Sequence, residues 1–414
     1  MIFEFMAVQS ISQMCFFSDE KANRFHPLTL TRPLDDLRVG IYTIREKWEK
    51  TLNLNKSCRL LPEYMEGVFE KGIYQDNEPC LWVNSRYLPN EGLVAAISGL
   101  KVNEKLVNKK EVIAAFIDDK TSAQFFHRND FKNDGLKKIE FKDGCSLKYI
   151  WDLIELNSGQ IKDDIALTKL SNISTTGLGV EAVVHYKENI FIGDNVHIEP
   201  GCIFIAKNGP IVIKDGAEIE AGSILRGPIA IGKGATVKMG ARIYGGTTVG
   251  PVCKVGGEVS GSIFHSYSNK AHDGFCGNSI FGQWVNLGAN TITSNLKNDY
   301  KSVKVIDWQT EKSIETGRQF LGTIMADHSK TAINTMLNTG TICGVSSNVF
   351  IDYLSPKFIK SFTWLGPDNE QLYRFEKAVE VMKSMMKRRD ISMSDDYLKM
   401  MNNIFELRKK NIQA

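Results

Sequence analysis

Residues 213–255 read IKDGAEIEAGSILRGPIAIGKGATVKMGARIYGGTTVGPVCKV, and their phase decides the architecture of the second half of the chain. Ile213, Ile219, Leu225, Ile231, Val237, Ile243, Val249 and Val255 are eight aliphatic positions in succession at a spacing of six. Helices repeat about every 3.6 residues and flat strands every two, so a sustained period of six needs another geometry. A hexapeptide parallel β-helix supplies it: each six-residue side sends one aliphatic side chain into a prism and then turns a corner. The small residues in between permit those corners, whereas the alternating strands of an open sandwich would not hold the phase. Ile192, Ile198 and Phe204 show the same step one insertion earlier. Weaker continuations follow at Phe281 and Leu287, then at Met325, Thr331, Leu337 and Cys343, with residues 295–317 reading as an excursion.

The texture before this region is different. QMCFF (13–17) and CLWVN (80–84) are short apolar runs of buried-strand type, and Ile41, Ile44, Trp48 and Leu52 recur at helical spacing. They predict a compact α/β domain over residues 1–175, closed by the polar, Gly-containing stretch LSNISTTGLG at 170–179. The β-helix is expected over 176–350. The remainder, 351–414, reads as two helices that cover the open end of the β-helix. Met382, Met385 and Met386 read as core there, and the basic residues at 408–410 as a solvated terminus.

A chain of 414 residues suits two or three domains. Its formal charge of +3 is too small to argue for nucleic acid or a membrane surface, which leaves small-molecule or protein partners. Eight scattered cysteines without a C-x-x-C pair fit free thiols in a reducing cytosol. The opening MIFEFMAV is too short to span a bilayer and reads as a strand or frayed start. No later run reaches spanning length, so a cytoplasmic location is expected.

KAHDGFCGNSIFGQWVNLGANTITSN (270–295) resembles K-A-G-H…G…V-N-I-G-A-G-T-I-T-C-N of a bifunctional bacterial enzyme family. That family joins N-acetylglucosamine-1-phosphate uridyltransferase to glucosamine-1-phosphate acetyltransferase. LTLTRP (28–33), TIREKW (43–48), the WVN-L-G-A-x-T segment and INTMLNTGT (333–341) resemble a divergent branch of it. The resemblance implies an α/β nucleotidyltransferase-like domain, a left-handed β-helix of hexapeptide repeats and C-terminal helices. An amine attacking a thioester must shed a proton, a task suited to a neutral imidazole. His272 falls on the family's catalytic histidine, as general base. Asn286 falls on a sugar-contacting asparagine, and Ala289 and Asn295 on positions lining the acetyl-CoA groove. Thr323 takes a family serine position, and Thr339 one where a small residue faces the cofactor. An amide and backbone N–H groups there would bind the thioester oxygen as charge develops.

The departures are specific. The family tyrosine three residues after the histidine is Phe275, which keeps the ring and loses the hydroxyl. The lysine expected 11 or 12 residues before His272, to meet the sugar phosphate, is Ser260 or Gly261, leaving Arg242, Lys254 and Lys270 as candidate cations. The N-Y pair near the cofactor is Asn295-Leu296. Asp273, next in an extended chain, points to the opposite side and makes no relay. The plain alternative for His272 is a structural histidine on a coil face.

RFHPLTLTRPL (24–34) is similar to the R-L-x-P-L-T-x-x-x-P-K that follows the phosphate loop of sugar-nucleotide pyrophosphorylases. Arg24, Pro27, Leu28, Thr29 and Pro33 match, and Leu34 replaces the lysine. Such a loop is glycine-rich so that backbone amides reach a triphosphate, yet here Glu20-Lys21-Ala22-Asn23 precede Arg24. LWVNSRYL puts Asn84, Ser85 and Arg86 where a strand would end in a carboxylate for Mg2+. Either Arg24, Arg32, Arg38 and Lys47 bind nucleotide phosphates through their side chains, or the domain has lost its chemistry. No metal ligands are assigned.

The resemblance therefore implies a sugar-nucleotide biosynthesis enzyme of the UDP-N-acetylglucosamine type. It would transfer acetyl from acetyl-CoA to an amino-sugar 1-phosphate, with UTP and Mg2+ added if the first domain is active. It also implies a homotrimer with each site between subunits. The alternative is a non-catalytic sugar-nucleotide-binding regulator or scaffold. A β-helix carbonic anhydrase needs three zinc-bound histidines, which the spacing of His265, His272 and His328 does not suit.

Overall fold

The structure is a computed structural model and describes residues 11–142, 146–170 and 182–410. The opening stretch 1–8, read as a strand or frayed start, Cys145 and nearly all of the boundary stretch at 170–179 lie outside those residues. The chain divides into two compact units. The first holds the chain up to Asn23, Arg32–Asp36 and Tyr42–Tyr149; the second holds Arg24–Thr31, Leu37–Ile41 and everything from Ile150.

In the first unit the apolar runs form central strands. β1 (Met14–Phe17) and β3 (Cys80–Asn84) are buried at every residue, as strands covered on both faces require. With β2 (Cys58–Arg59), β4 (Glu104–Asn108), β5 (Glu111–Ile117) and β6 (Lys137–Glu140) they make one sheet. Its order is β2–β1–β3–β5–β4–β6, with β1 parallel to β2 and β3, and β5 antiparallel to β3. Helix α1 (Ile44–Thr51) starts at a capping box between Thr43 and Glu46 and buries Ile44 and Trp48. The Trp48 indole donates to the Tyr87 carbonyl at 2.8 Å, tying α1 to the loop after β3. Helices α2 (Glu91–Ser98) and α3 (Asp119–Arg128) complete the α/β layering.

In the second unit the eight positions at spacing six are all buried in one continuous core. They rotate through three parallel sheets. Ile213 lies on the first face, Ile219 on the second, Leu225 on the third, and Ile231 back on the first, paired with Ile213. Three six-residue sides thus complete one turn of a left-handed β-helix. The phase slips after Val255 because the next turn is shorter: Thr248 pairs with Ile263, and Lys254 with Asn269. Further on, Ile280 pairs with Ile324, and the excess chain forms an antiparallel hairpin of Lys304–Ile306 and Ser313–Glu315 inside the expected excursion.

Helix α4 (Asp152–Asp163) and the segments Arg24–Thr31 and Leu37–Ile41 cover the outside of the first face. Asn157 donates to the Gly246 carbonyl at 2.7 Å and accepts from Gly40 N at 2.6 Å. Thr248 Oγ1 donates to the Gly40 carbonyl, and Ile41 N to Asp164 Oδ2, at 2.9 and 2.8 Å. Only glycine fits at 40: its φ is +76°, and a Cβ would stand 2.4 Å from Asp164 Oδ2. Thr31 Oγ1 donates to Asp327 Oδ2 at 2.9 Å. The segments Arg24–Thr31 and Leu37–Ile41, too polar for core strands, are thus buried largely by docking on the β-helix.

The C-terminal helices α5 (Phe375–Lys387) and α6 (Asp395–Lys409) form, but they do not cover the open end of the prism. The last parallel strand, Thr363–Leu365, is instead followed by the antiparallel strand Glu370–Leu372. Helix α6 lies along a flank over successive coils. Tyr397 is 2.8 Å from His328 Nε2, Phe405 meets the Phe362 ring, and Arg408 donates to the Ser361 carbonyl at 3.1 Å. Met382, Met386, Met400, Met401 and Ile404 need an apolar surface, and a flank offers more of it than an end.

Candidate active site

His272 sits at the corner where the strand Asn269–Lys270 of the second face turns into Phe275–Gly277 of the third. The corner is built on close backbone stacking. A Cβ on Gly257, one coil below and at φ +69°, would come within 2.9 Å of both the His272 carbonyl oxygen and Asp273 Cα. The imidazole is exposed and makes no hydrogen bond to a described residue. Phe275, Asn286 and Ala289 lie on the same coil and the next one up, all partly exposed. Asn286 Oδ1 accepts from Asn269 Nδ2 at 2.8 Å, which fixes its amide on the second face beside the corner. His272, Phe275, Asn286 and Ala289 therefore come together.

Asn295 and Thr339 are placed differently. Both belong to the opposite edge of the third face, where it turns into the first. Asn295 Nδ2 donates to Asn278 Oδ1 at 2.8 Å, and Thr339 Oγ1 is 3.4 Å from Lys357 Nζ. The Phe275 ring reaches toward this edge: a Cβ on Gly277 would stand 2.6 Å from that ring and 2.5 Å from Asn295 Nδ2. Thr323 is fully buried in a ladder of hydroxyls inside the prism: Ser279 N donates to Ser262 Oγ at 3.1 Å, and Thr323 N to Ser279 Oγ at 2.9 Å.

The candidate phosphate-binding cations differ sharply. Arg242 is half exposed on the third face, with Glu258 Oε2 3.6 Å away, in a register row that runs Arg242, Glu258, Phe275. Lys254 is partly buried on the second face. Lys270 is 2% exposed and occupies an interior position of the prism, paired with Val255. Its ammonium donates to the carbonyls of His272, Gly256 and Asp273 at 2.7, 3.1 and 3.4 Å, so it serves the corner from within and is not open to a sugar phosphate. Burial pushes its pKa below the ordinary lysine value. A sequence signal existed: Lys270 falls six residues after Phe264 and six before Cys276, both interior.

The four residues considered for nucleotide phosphates divide between the units. Arg24 and Arg38 belong to the second, where Arg38 donates to the carbonyls of His265 and Ile41 at 3.2 and 2.9 Å. Arg32 and Lys47 belong to the first and are buried, and Arg32 pairs with Asp36 at 3.0 Å. At the ends of β1 and β3 another set of residues comes together, of which the motif comparison touches only Lys21, Asn84 and Arg86: Asp19, Lys21, Asn84, Arg86, Tyr87 and Glu111. Arg86 is 1% exposed. Its guanidinium donates to Asp19 Oδ1 at 2.8 Å, Asp19 Oδ2 at 2.5 Å, Glu111 Oε2 at 2.8 Å and the Leu147 carbonyl at 3.0 Å. Asn84 Nδ2 donates to Asp19 Oδ2 at 2.9 Å, Tyr87 Oη to Glu111 Oε2 at 3.3 Å, and Lys21 pairs with Glu111. Burial raises the Glu111 carboxyl, but the bonds from Lys21 and Arg86 outweigh it and bring the group down to about 2.

Residues 14–172 match the sugar nucleotidyl transferase family. The chain is matched there over less than half of its length. Across 222 residues, 53% of this chain and 48% of the relative, it is 29% identical to a bifunctional sugar-1-phosphate nucleotidylyltransferase/acetyltransferase of Sulfurisphaera tokodaii. Over 199 residues, 48% of this chain and 41% of the relative, it is 35% identical to the bifunctional protein GlmU of Methanococcus aeolicus. The GlmU of Methanocaldococcus jannaschii is 35% identical over 117 residues, 28% of each chain. The chain thus spans no more than about half the length of these relatives. Among solved structures, an Arabidopsis UDP-N-acetylglucosamine acyltransferase covers 57% of this chain and 94% of its own at 13% identity, with a TM-score of 0.23. Among the described residues no helix is long and apolar enough to cross a membrane.

Proposed function

We propose that the protein moves an acetyl group from acetyl-CoA to the amine of an amino-sugar 1-phosphate, in sugar-nucleotide formation of the UDP-N-acetylglucosamine type. The observation that carries this reading is an exposed, unbonded imidazole at a β-helix corner, grouped with Asn286, Phe275 and Ala289. His272 takes the proton from the amine as its nitrogen attacks the thioester carbonyl carbon. The tetrahedral intermediate then expels the CoA thiolate as the C–S bond breaks, and the imidazolium returns the proton to sulfur. The Asn286 amide orients the sugar, and Arg242, two strands along the row from Phe275, meets the phosphate. Phe275 offers a ring face to the sugar without the proton donor that a tyrosine would add.

The acetyl-CoA groove is assigned to the other edge of the third face, with Asn295, Thr339 and the half-buried Lys357. The charge of Lys357 next to Thr339 suits the phosphates of CoA, while Thr323 supports the coil from inside. The reading includes a homotrimer with sites between subunits. The outward row of the third face favours such packing: next to Phe275 come Ile292, Met336 and Leu354, the last 52% exposed. Seven free cysteines among the described residues suit a reducing, cytoplasmic setting.

The test is thiol release from acetyl-CoA with glucosamine 1-phosphate as acceptor. Release that depends on the sugar, and that is lost in His272→Ala while the variant melts like the wild type, is the expected result. Equal release by the two proteins would overturn the assignment of His272.

A further inference from the structure

We infer that the crevice at the ends of β1 and β3 does not take a magnesium-bound nucleoside triphosphate, because a resident network of Arg86, Asp19, Glu111 and Lys21 stands where metal and phosphates would lie. Topology locates that crevice. The chain leaves β1 for β2 on one side and returns to β3 on the other, so the sheet switches direction between β1 and β3. In open α/β sheets ligands enter outside the carboxyl ends of the strands at such a point. Strand β1 runs out into Ser18-Asp19, and β3 into Ser85-Arg86.

Three observations make this place unfit for the group. The amides that would cradle phosphate oxygens already have acceptors: Lys21 N donates to Asp19 Oδ1 at 3.0 Å, and Ala22 N to the Asp19 carbonyl at 2.9 Å. Asp19 and Glu111, the carboxylates near enough to hold a divalent cation, both accept from the Arg86 guanidinium. Mg2+ needs oxygen ligands in near-octahedral array, and here it would meet a buried cation fixed among its ligands. Two cations and two anions already neutralise one another, so the cluster offers no net positive charge to a triphosphate.

The inference rests on the proposed acetyl transfer in one respect. If the product is an N-acetylated sugar 1-phosphate, then a separate nucleoside-triphosphate-dependent nucleotidyl transfer must consume it. The test is equilibrium dialysis of the full chain against labelled UTP, and then ATP, GTP, CTP and dTTP, with and without Mg2+. The same preparation is assayed for UTP formed from UDP-N-acetylglucosamine and pyrophosphate, and separately for acetyl transfer. No magnesium-dependent binding and no UTP, from protein that melts cooperatively, is the result expected. Saturable magnesium-dependent binding of any of the five, or UTP above the protein-free blank, would overturn the inference whatever the acetyl-transfer assay shows. Absent thiol release would count against the acetyl-transfer reading alone.

Discussion

Replacing Arg86 by methionine removes the centre of the charge network and keeps much of the side chain's volume. Asp19 and Glu111 would then be left with Lys21 as the remaining cation of the cluster. Breaking a buried ion pair costs about 3–5 kcal/mol. The two carboxylates are 28% and 31% exposed and regain some water, which lowers the figure to about 2–3 kcal/mol. Hydrogen exchange of the β3 amides reads this loss locally. At about 1.4 kcal/mol per tenfold, their protection should fall roughly 30- to 150-fold. The effect should depend on pH. The Glu111 carboxyl is held at about 2, below the ordinary 4.5, so its contribution is complete above the unfolded value and is lost as pH falls toward the folded one. The wild type's advantage over Arg86→Met should therefore be greatest above about pH 5 and shrink between about pH 4.5 and 2. Protection unchanged by the substitution at neutral pH would refute the reasoning, since a guanidinium so placed cannot be removed without consequence.

Three further outcomes concern the β-helix. Lys270→Met should lower kcat for acetyl transfer by about 10- to 100-fold, with the KM for acetyl-CoA little changed, because the corner that presents His272 loses its internal donor. Steady-state kinetics checks this, and an unchanged kcat would remove Lys270 from any positioning role. Gly257→Ala adds a methyl against the His272 carbonyl at a φ that costs a side chain about 1–2 kcal/mol, so activity should fall further than the melting temperature suggests. Activity equal to the wild type would show that the corner tolerates displacement. Thr31→Val removes one donor from buried Asp327 at a cost of about 1–2 kcal/mol, to be read as a melting temperature lower by a few degrees.

The prism was legible because its signal is local. One interior side chain per six residues needs no partner to be recognised, and the run from Ile213 to Val255 holds until a shorter turn breaks the phase. The helical flank was misjudged because an amphipathic pattern shows that a face is buried but not against what. The docked segment was hidden for another reason: Thr31 meets Asp327, and Arg38 meets the His265 carbonyl, across more than two hundred residues. Its arginines invited a phosphate reading that composition alone does not separate from a docking one. Asp19, Arg86 and Glu111 were similarly dispersed, so the missing carboxylate at the end of β3 could be noted without seeing that its replacement draws two others onto itself. His272 is proposed from its motif, and the structure adds the interior lysine beneath it.

The most direct test of the central claim is the fate of the acetyl group. With acetyl-labelled acetyl-CoA and glucosamine 1-phosphate, the account predicts label on the sugar nitrogen, identified by mass spectrometry of the product, and none with His272→Ala. Label that stays on CoA with the wild-type protein, or that reaches the sugar equally with the variant, would contradict it.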